Sequence, residues 1–199
     1  VPTLTWSDEL RARFDPKTSQ MTLLEQERNF KYQSGDRNAI ADRAQLDQTK
    51  ELATLTGNVR VWDPTGTTTG DNGDMNQKNG DSVVTGNVAS TRLPSKKGKS
   101  SAIQSSDETT QATALKMTTA RNNRFIRYEG NAVAWQGSNR VTADSIEMDE
   151  DVAVMRATGN VVSQFADKPR KDATKQPASK KKPAKKSAAR QGAPVFTVV

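Results

Sequence analysis

Three copies of Thr-Gly-Asn-Val punctuate this chain, at 56–59, 85–88 and 158–161, and a relaxed copy, Glu129-Gly130-Asn131-Ala132, makes a fourth. Gly57 and Gly86 lie 29 residues apart, and so do Gly130 and Gly159. The middle interval is 44, longer by 15, and the surplus falls in the polar, low-complexity stretch Leu93–Gln111. A fixed period in this range is the mark of a repeat architecture, in which one small unit buries its apolar face only by stacking on the next.

Each unit reads as two strands. Alternation of polar and apolar residues runs into a turn segment at 47–50, 76–80, 121–123 and 149–151, all rich in residues that fold back or tolerate left-handed φ. The glycine-bearing strand follows. Counting by twos from each glycine picks out Ala53, Leu55, Val59 and Val61, then Val84 and Val88, then Ile126, Tyr128, Ala132 and Ala134, and finally Met155, Ala157 and Val161. The preceding strands add Leu46, Met75, Met117, Ile146 and Met148, and Phe165 follows the last copy. Period two with one apolar face specifies half-buried strands, and no segment keeps the helical i, i+3, i+4, i+7 pattern.

Short links between successive strands make the pairing antiparallel. The expected fold is all-β: an elongated jelly roll of about 29-residue, two-strand repeats, with two facing sheets and each unit giving one strand to each. It occupies the whole chain, 1–199, as a single domain. Residues 1–35 read as a degenerate unit without the glycine, and 36–165 as the repeats. Stretches 93–111 and 166–193 read as low-complexity inserts, and 194–199 as the start of a further strand. The chain reads as an excerpt from, or mature form of, something longer.

The repeated glycine falls on the inward parity and has two readings. It marks a bulge whose backbone only glycine tolerates, helped by the following asparagine, or it leaves a row of missing side chains that makes room between the sheets. The first is the commoner use of a strand glycine.

Composition narrows the chemistry. The formal charge is +7, yet residues 166–193 hold ten basic and two acidic residues, so the rest of the chain is close to neutral. That Lys-Ala-Pro stretch has no interleaved aromatics and reads as a linker, not a nucleic-acid site. Without His or Cys the chain lacks the usual general base, the thiolate nucleophile and the commonest transition-metal ligands. Asp71 and Asp74, like Asp149, Glu150 and Asp151, are expected in solvated turns, and no calcium-loop glutamate follows at the required distance. No catalytic set, metal site or cofactor is expected. Trp62 and Trp135, each five residues after a repeat glycine, are expected at strand ends, capping the core or gripping sugars at a rim.

Units such as "VTADSIEMDEDVAVMRATGNV" and "AIADRAQLDQTKELATLTGNV" resemble the OstA-like domain of lipopolysaccharide transport, the fold of LptA, LptC and the N-terminal domain of LptD. The resemblance covers Ala39 to Phe165 and rests on Thr142-Ala143-Asp144 and Ile40-Ala41-Asp42, a polar turn, and the glycine motif at fixed spacing. It implies a periplasmic protein that shelters the acyl chains of lipopolysaccharide, or of a related lipid, between its sheets. The trough residues would be Leu46, Leu55, Val59, Val61, Met75, Val84, Val88, Met117, Ile126, Tyr128, Ile146, Met148, Met155, Val161 and Phe165. It also implies partners: other jelly-roll transport proteins joined by edge-strand pairing, and a head-to-tail homo-oligomer. The alternative is a structural β-solenoid with a closed core and no cargo.

Overall fold

A computed structural model describes residues 2–94 and 108–166. Twelve strands form one antiparallel sheet: β1 (Thr3–Trp6), β2 (Glu9–Phe14), β3 (Met21–Ser34), β4 (Arg37–Asp47), β5 (Leu52–Asp63), β6 (Gly66–Asn76), β7 (Ser82–Arg92), β8 (Thr110–Ala120), β9 (Phe125–Gln136), β10 (Asn139–Asp149), β11 (Val154–Thr158) and β12 (Val162–Gln164). Each long strand from β3 to β10 pairs with its sequence neighbours. At one end β1 and β2 both pair β3; at the other β11 and β12 both pair β10.

The turns form where the sequence places them. At β4–β5 the Asp47 carboxylate accepts from the Thr49 hydroxyl at 2.6 Å and from the backbone N–H groups of Thr49 and Lys50. The Thr49 hydroxyl first, and then the Lys50 ammonium 3.1 Å away, hold the Asp47 pKa down to about 2.

The arrangement of the two sheets differs from the sequence-based expectation. Strands are not dealt alternately to two sheets; each long strand runs through both walls of a single creased sheet. The crease is a row of bulges. Gly57-Asn58, Gly86-Asn87, Gly130-Asn131 and Gly159-Asn160 all have φ between +47° and +79°, and the β5, β7 and β9 registers slip by one residue there. A fifth member lacks glycine: Arg28-Asn29, with φ of 63° and 55°, sits 29 residues before Gly57 in the supposedly degenerate unit. The intervening strands change face here, with two successive outward residues such as Asp42-Arg43, Asp71-Asn72 and Leu115-Lys116. One extra residue on one strand bends the sheet and increases its local twist.

Aspartates lock the crease from outside. Asn29 donates to Asp8 at 2.9 Å, Asn58 to Asp42 at 2.9 Å, Asn87 to Asp71 at 3.0 Å and Asn160 to Asp144 at 3.1 Å. The Asp144 N–H also donates to the Gly159 carbonyl at 2.8 Å, and the Asp8 N–H to the Arg28 carbonyl at 3.1 Å. Leu115 takes the aspartate's place opposite Gly130. Asp71 is therefore a strand residue, as is Asp74, which accepts from the Thr54 hydroxyl at 2.7 Å; neither lies in the expected turn.

The repeat glycine is a bulge residue and opens no space between the walls. A Cβ on Gly57 would land on the Asp42 carboxylate, 2.8 Å from its Cγ, on the exposed side of the crease. Gly57→Ala therefore meets both a left-handed backbone and a side-chain collision, at an expected cost of about 1–3 kcal/mol. Chemical denaturation of Gly57→Ala in the parent and in an Asp42→Ala background checks this: the glycine change costs less in the second, where the collision is gone and the backbone strain remains. A Gly57→Ala protein as stable as the parent would contradict the bulge.

Candidate functional site

The crease makes two walls that face each other across a trough. The first wall holds 30–34, 37–41, 59–63, 66–70, 88–92, 110–114, 132–136 and 139–143; the second holds the other half of each strand. Contacts between walls show that they meet. Thr68 of the first wall lies 4.0 Å from Met117 Sδ of the second, and a Cβ on Gly70 would land on Val84 Cγ1 across the trough.

Inward side chains run in continuous rows across the sheet. One row of the second wall reads Gln26, Ala44, Leu55, Gly73, Val84, Met117, Tyr128, Ile146, Ala157; the next reads Leu24, Leu46, Ala53, Met75, Ser82, Thr119, Ile126, Met148, Met155. Opposite them on the first wall stand Tyr32, Ala39, Val61, Thr68, Ser90, Ala112, Ala134 and Val141.

The two halves of the trough differ. Over β7–β10 it is filled by its own side chains: Val84, Val88, Met117, Ile126, Tyr128, Ile146 and Met148 form one buried cluster with four alanines of the first wall and crease region and with Val141 and Ala143. Polar contacts span the walls here. The Ser90 and Tyr128 hydroxyls are 2.6 Å apart, both buried. At the mouth Arg92 reaches over to Glu150 at 2.6 Å and donates to the Asn123 carbonyl at 3.1 Å. Burial raises the Tyr128 pKa, the Ser90 bond opposing it in part. Around this mouth Arg121 pairs with Asp149 and Asp151, and Arg124 with Asp151. The bond from Arg121 holds Asp149 below the usual carboxylate range.

Over β2–β6 the trough is sparsely filled. Its buried cluster is small: Phe30, Ala41 and Val59, with Tyr32, Ala44 and Leu55 packed against it. Strand β6 has glycine at two inward positions, Gly70 and Gly73, both buried, and Val84 fills the space over Gly70 where this half meets the closed one. Inward apolar groups stay open to solvent, with Val61 38% exposed, Met75 37%, Leu10 56% and Phe14 60%. Leu24, Leu46 and Leu55 are half-buried between them.

An apolar trough creased along regularly spaced bulges, over a repeat of this length, can be compared with known families. The sequence profile of the family described as LptA/(LptD N-terminal domain) LPS transport protein matches residues 3–72 and 95–154, about two thirds of the chain. The chain belongs to this family. Among solved structures, LptH of Pseudomonas aeruginosa, titled the LptA-homologous periplasmic component of the lipopolysaccharide transport device, superposes with a TM-score of 0.57. At 18% identity, over 66% of this chain and 95% of that one, the likeness shows the shared fold. No curated protein matches the chain by sequence.

As an Lpt-family domain, the chain places its expected trough residues in two groups. Leu46, Leu55, Val61 and Met75 line the open stretch, with Val59 at its floor. Val84, Val88, Met117, Ile126, Tyr128, Ile146 and Met148 fill the closed one, and Met155 and Val161 pack against them. Phe165, past β12, is 51% exposed. Sequence reading missed Leu10 and Leu24, whose unit carries no glycine to count from, and matched Phe14 to Leu46 without placing it in the trough. It also misplaced the tryptophans: Trp62 and Trp135 point to the outer face of the first wall and do not cap the core. The low-complexity stretches lie mostly outside the described residues, at 95–107 and 167–193.

The bond across the mouth has a readable consequence. Arg92→Ala removes one side of it, and a partly exposed ion pair with a backbone bond is expected to contribute about 1 kcal/mol. Amide exchange should then quicken at the turns 121–124 and 150–153, on the opposite wall. Exchange that changes only beside residue 92 would contradict contact across the mouth.

Proposed function

We propose that this chain is a periplasmic lipopolysaccharide-binding transport protein that shelters acyl chains between the two walls of its sheet. The observation that carries the reading is the open stretch of inward apolar side chains over β2–β6, flanked by a family membership that concerns lipopolysaccharide transport. A hydrocarbon chain in water is costly, at ~0.8 kcal/mol per methylene, so covering a chain of ~12 carbons gains on the order of 10 kcal/mol. Leu10, Phe14, Leu24, Leu46, Leu55 and Met75 give that cover without chemistry, and methionine adapts to a ligand of variable shape.

The closed stretch favours the structural reading for β7–β10 alone. Its side chains already pack against one another, so there the trough is a core that stiffens the domain.

Assembly belongs to the same proposal. The sheet ends in short edge strands, β1 and β2 on one side, β11 and β12 on the other. Unpaired edges accept another strand, so copies of this chain, or other jelly-roll transport proteins, would continue the sheet and the trough into a bridge toward the outer membrane.

Binding of a fluorescent fatty-acyl probe, with sizing chromatography on the same samples, separates cargo from assembly. Leu55→Asp should lose saturable binding by at least about tenfold, since burying a carboxylate in an apolar trough is unfavourable by several kcal/mol, while oligomers persist. Proline within β12, an edge strand outside the open stretch, should remove oligomers and leave binding. Undiminished binding by folded Leu55→Asp would overturn the cargo site.

A further inference from the structure

The outer faces of the two walls are chemically unlike. Outward positions of the second wall mix both signs: Glu9, Glu25, Glu27, Asp74, Glu129 and Glu147 alternate with cations such as Arg11, Lys116 and Arg127, which pair with Glu9, Glu129 and Glu147. No Asp or Glu occupies an outward position in the strands of the first wall, where the charges are Lys31, Arg60 and Arg140. None of these three cations is in an ion pair among the described residues.

One cross-strand row of this face lies a single residue from the hairpin turns at the mouth. It reads Asn38, Trp62, Thr67, Thr91, Gln111, Trp135, each directly opposite the next. Arg140 and Gln164 continue it. Two aromatic plates four strands apart, about 19 Å, are thus joined by amides and hydroxyls. The Arg60 guanidinium lies 5.1 Å above the Trp62 ring. Around Trp135 the surface hollows into a groove of about 420 Å³, with Val133 and Trp135 beside Ser138, Asn139, Arg140 and Gln164.

Flat aromatic rings take the C–H faces of pyranoses, amides and hydroxyls take their alcohols, and guanidinium groups outside any ion pair take phosphate or carboxylate, with Glu108 beside Gly137 the carboxylate at the groove's edge. From this complementarity we infer that the outer face of the first wall binds a phosphorylated oligosaccharide, the sugar portion of the same lipopolysaccharide whose acyl chains occupy the trough. The inference rests on the lipid-carrier reading. Sugars leaving the mouth turn over the rim of the first wall and meet this row first, because it is the outermost on that face.

The test uses the folded protein and three soluble probes: delipidated, phosphorylated core oligosaccharide, peptidoglycan fragments, and an uncharged oligosaccharide of similar length. The chain has three tryptophans, so three indole N–H signals report the face by NMR. Core oligosaccharide should shift the Trp62 and Trp135 signals saturably, more than Trp6, which lies nearer the crease on β1. Trp135→Ala or Arg140→Gln should each weaken binding roughly tenfold with the fatty-acyl probe still bound. Absence of shifts overturns the inference, and so do equal or larger shifts from either other probe. A protein that binds core oligosaccharide but no acyl probe keeps this face and loses the lipid trough instead.

Discussion

The fold depends on a hydrogen bond repeated at four of the five bulges of the crease, from an asparagine in left-handed conformation to an aspartate beside it. A long antiparallel strand with one apolar face has no reason to bend. Two left-handed residues on one strand, opposed by one on its neighbour, bend it at a defined point. Asn29, Asn58, Asn87 and Asn160 pin that bend to Asp8, Asp42, Asp71 and Asp144. Because the defect recurs at the same level of each unit, the bends align, and a flat sheet becomes two facing walls. Glycine makes the first bulge residue cheap; Arg28 shows that the register, not the glycine, is the requirement.

Once the walls exist, side-chain volume decides what lies between them. Where units supply Tyr128, Ile146, Met117 and Met148, the gap closes, and Ser90, Arg92 and Glu150 bind wall to wall. Where β2–β4 supply Leu10, Phe14, Leu24 and Leu46, the inward side chains stay exposed or half-buried and the gap is open. The same backbone thus holds a rigid half and a receptive half. On the proposed carrier reading, the closed half keeps the walls apart at a fixed angle and the open half accepts an acyl chain.

Much of this was legible in the residues. The 29-residue interval, the turn chemistry at Asp47 and Asn76, and the alternation around each glycine specify hairpins with one apolar face, and the inward rows are those that counting by twos selects. The change of face escaped notice because it happens in the glycine-free strands, where Asp42-Arg43 looks like any polar pair. That hid the single sheet behind an expectation of two. Counting 29 back from Gly57 reaches Arg28-Asn29, so the fifth bulge was readable by spacing, though not by motif. The same alternation that turns Val61 inward turns Trp62 outward. Contacts such as Ser90 with Tyr128, 38 residues apart, depend on the angle between walls, which no local pattern encodes.

The central claim is that cargo enters the open half of the trough and not the closed half. Photo-crosslinking places it directly: a photoreactive residue at Leu24, Leu46 or Leu55, and in parallel at Ala132, Ala134 or Ile146, irradiated with lipopolysaccharide bound. The account predicts adducts from the first group and none from the second. Adducts confined to the second group, or absent from both while the lipid remains bound, would contradict it.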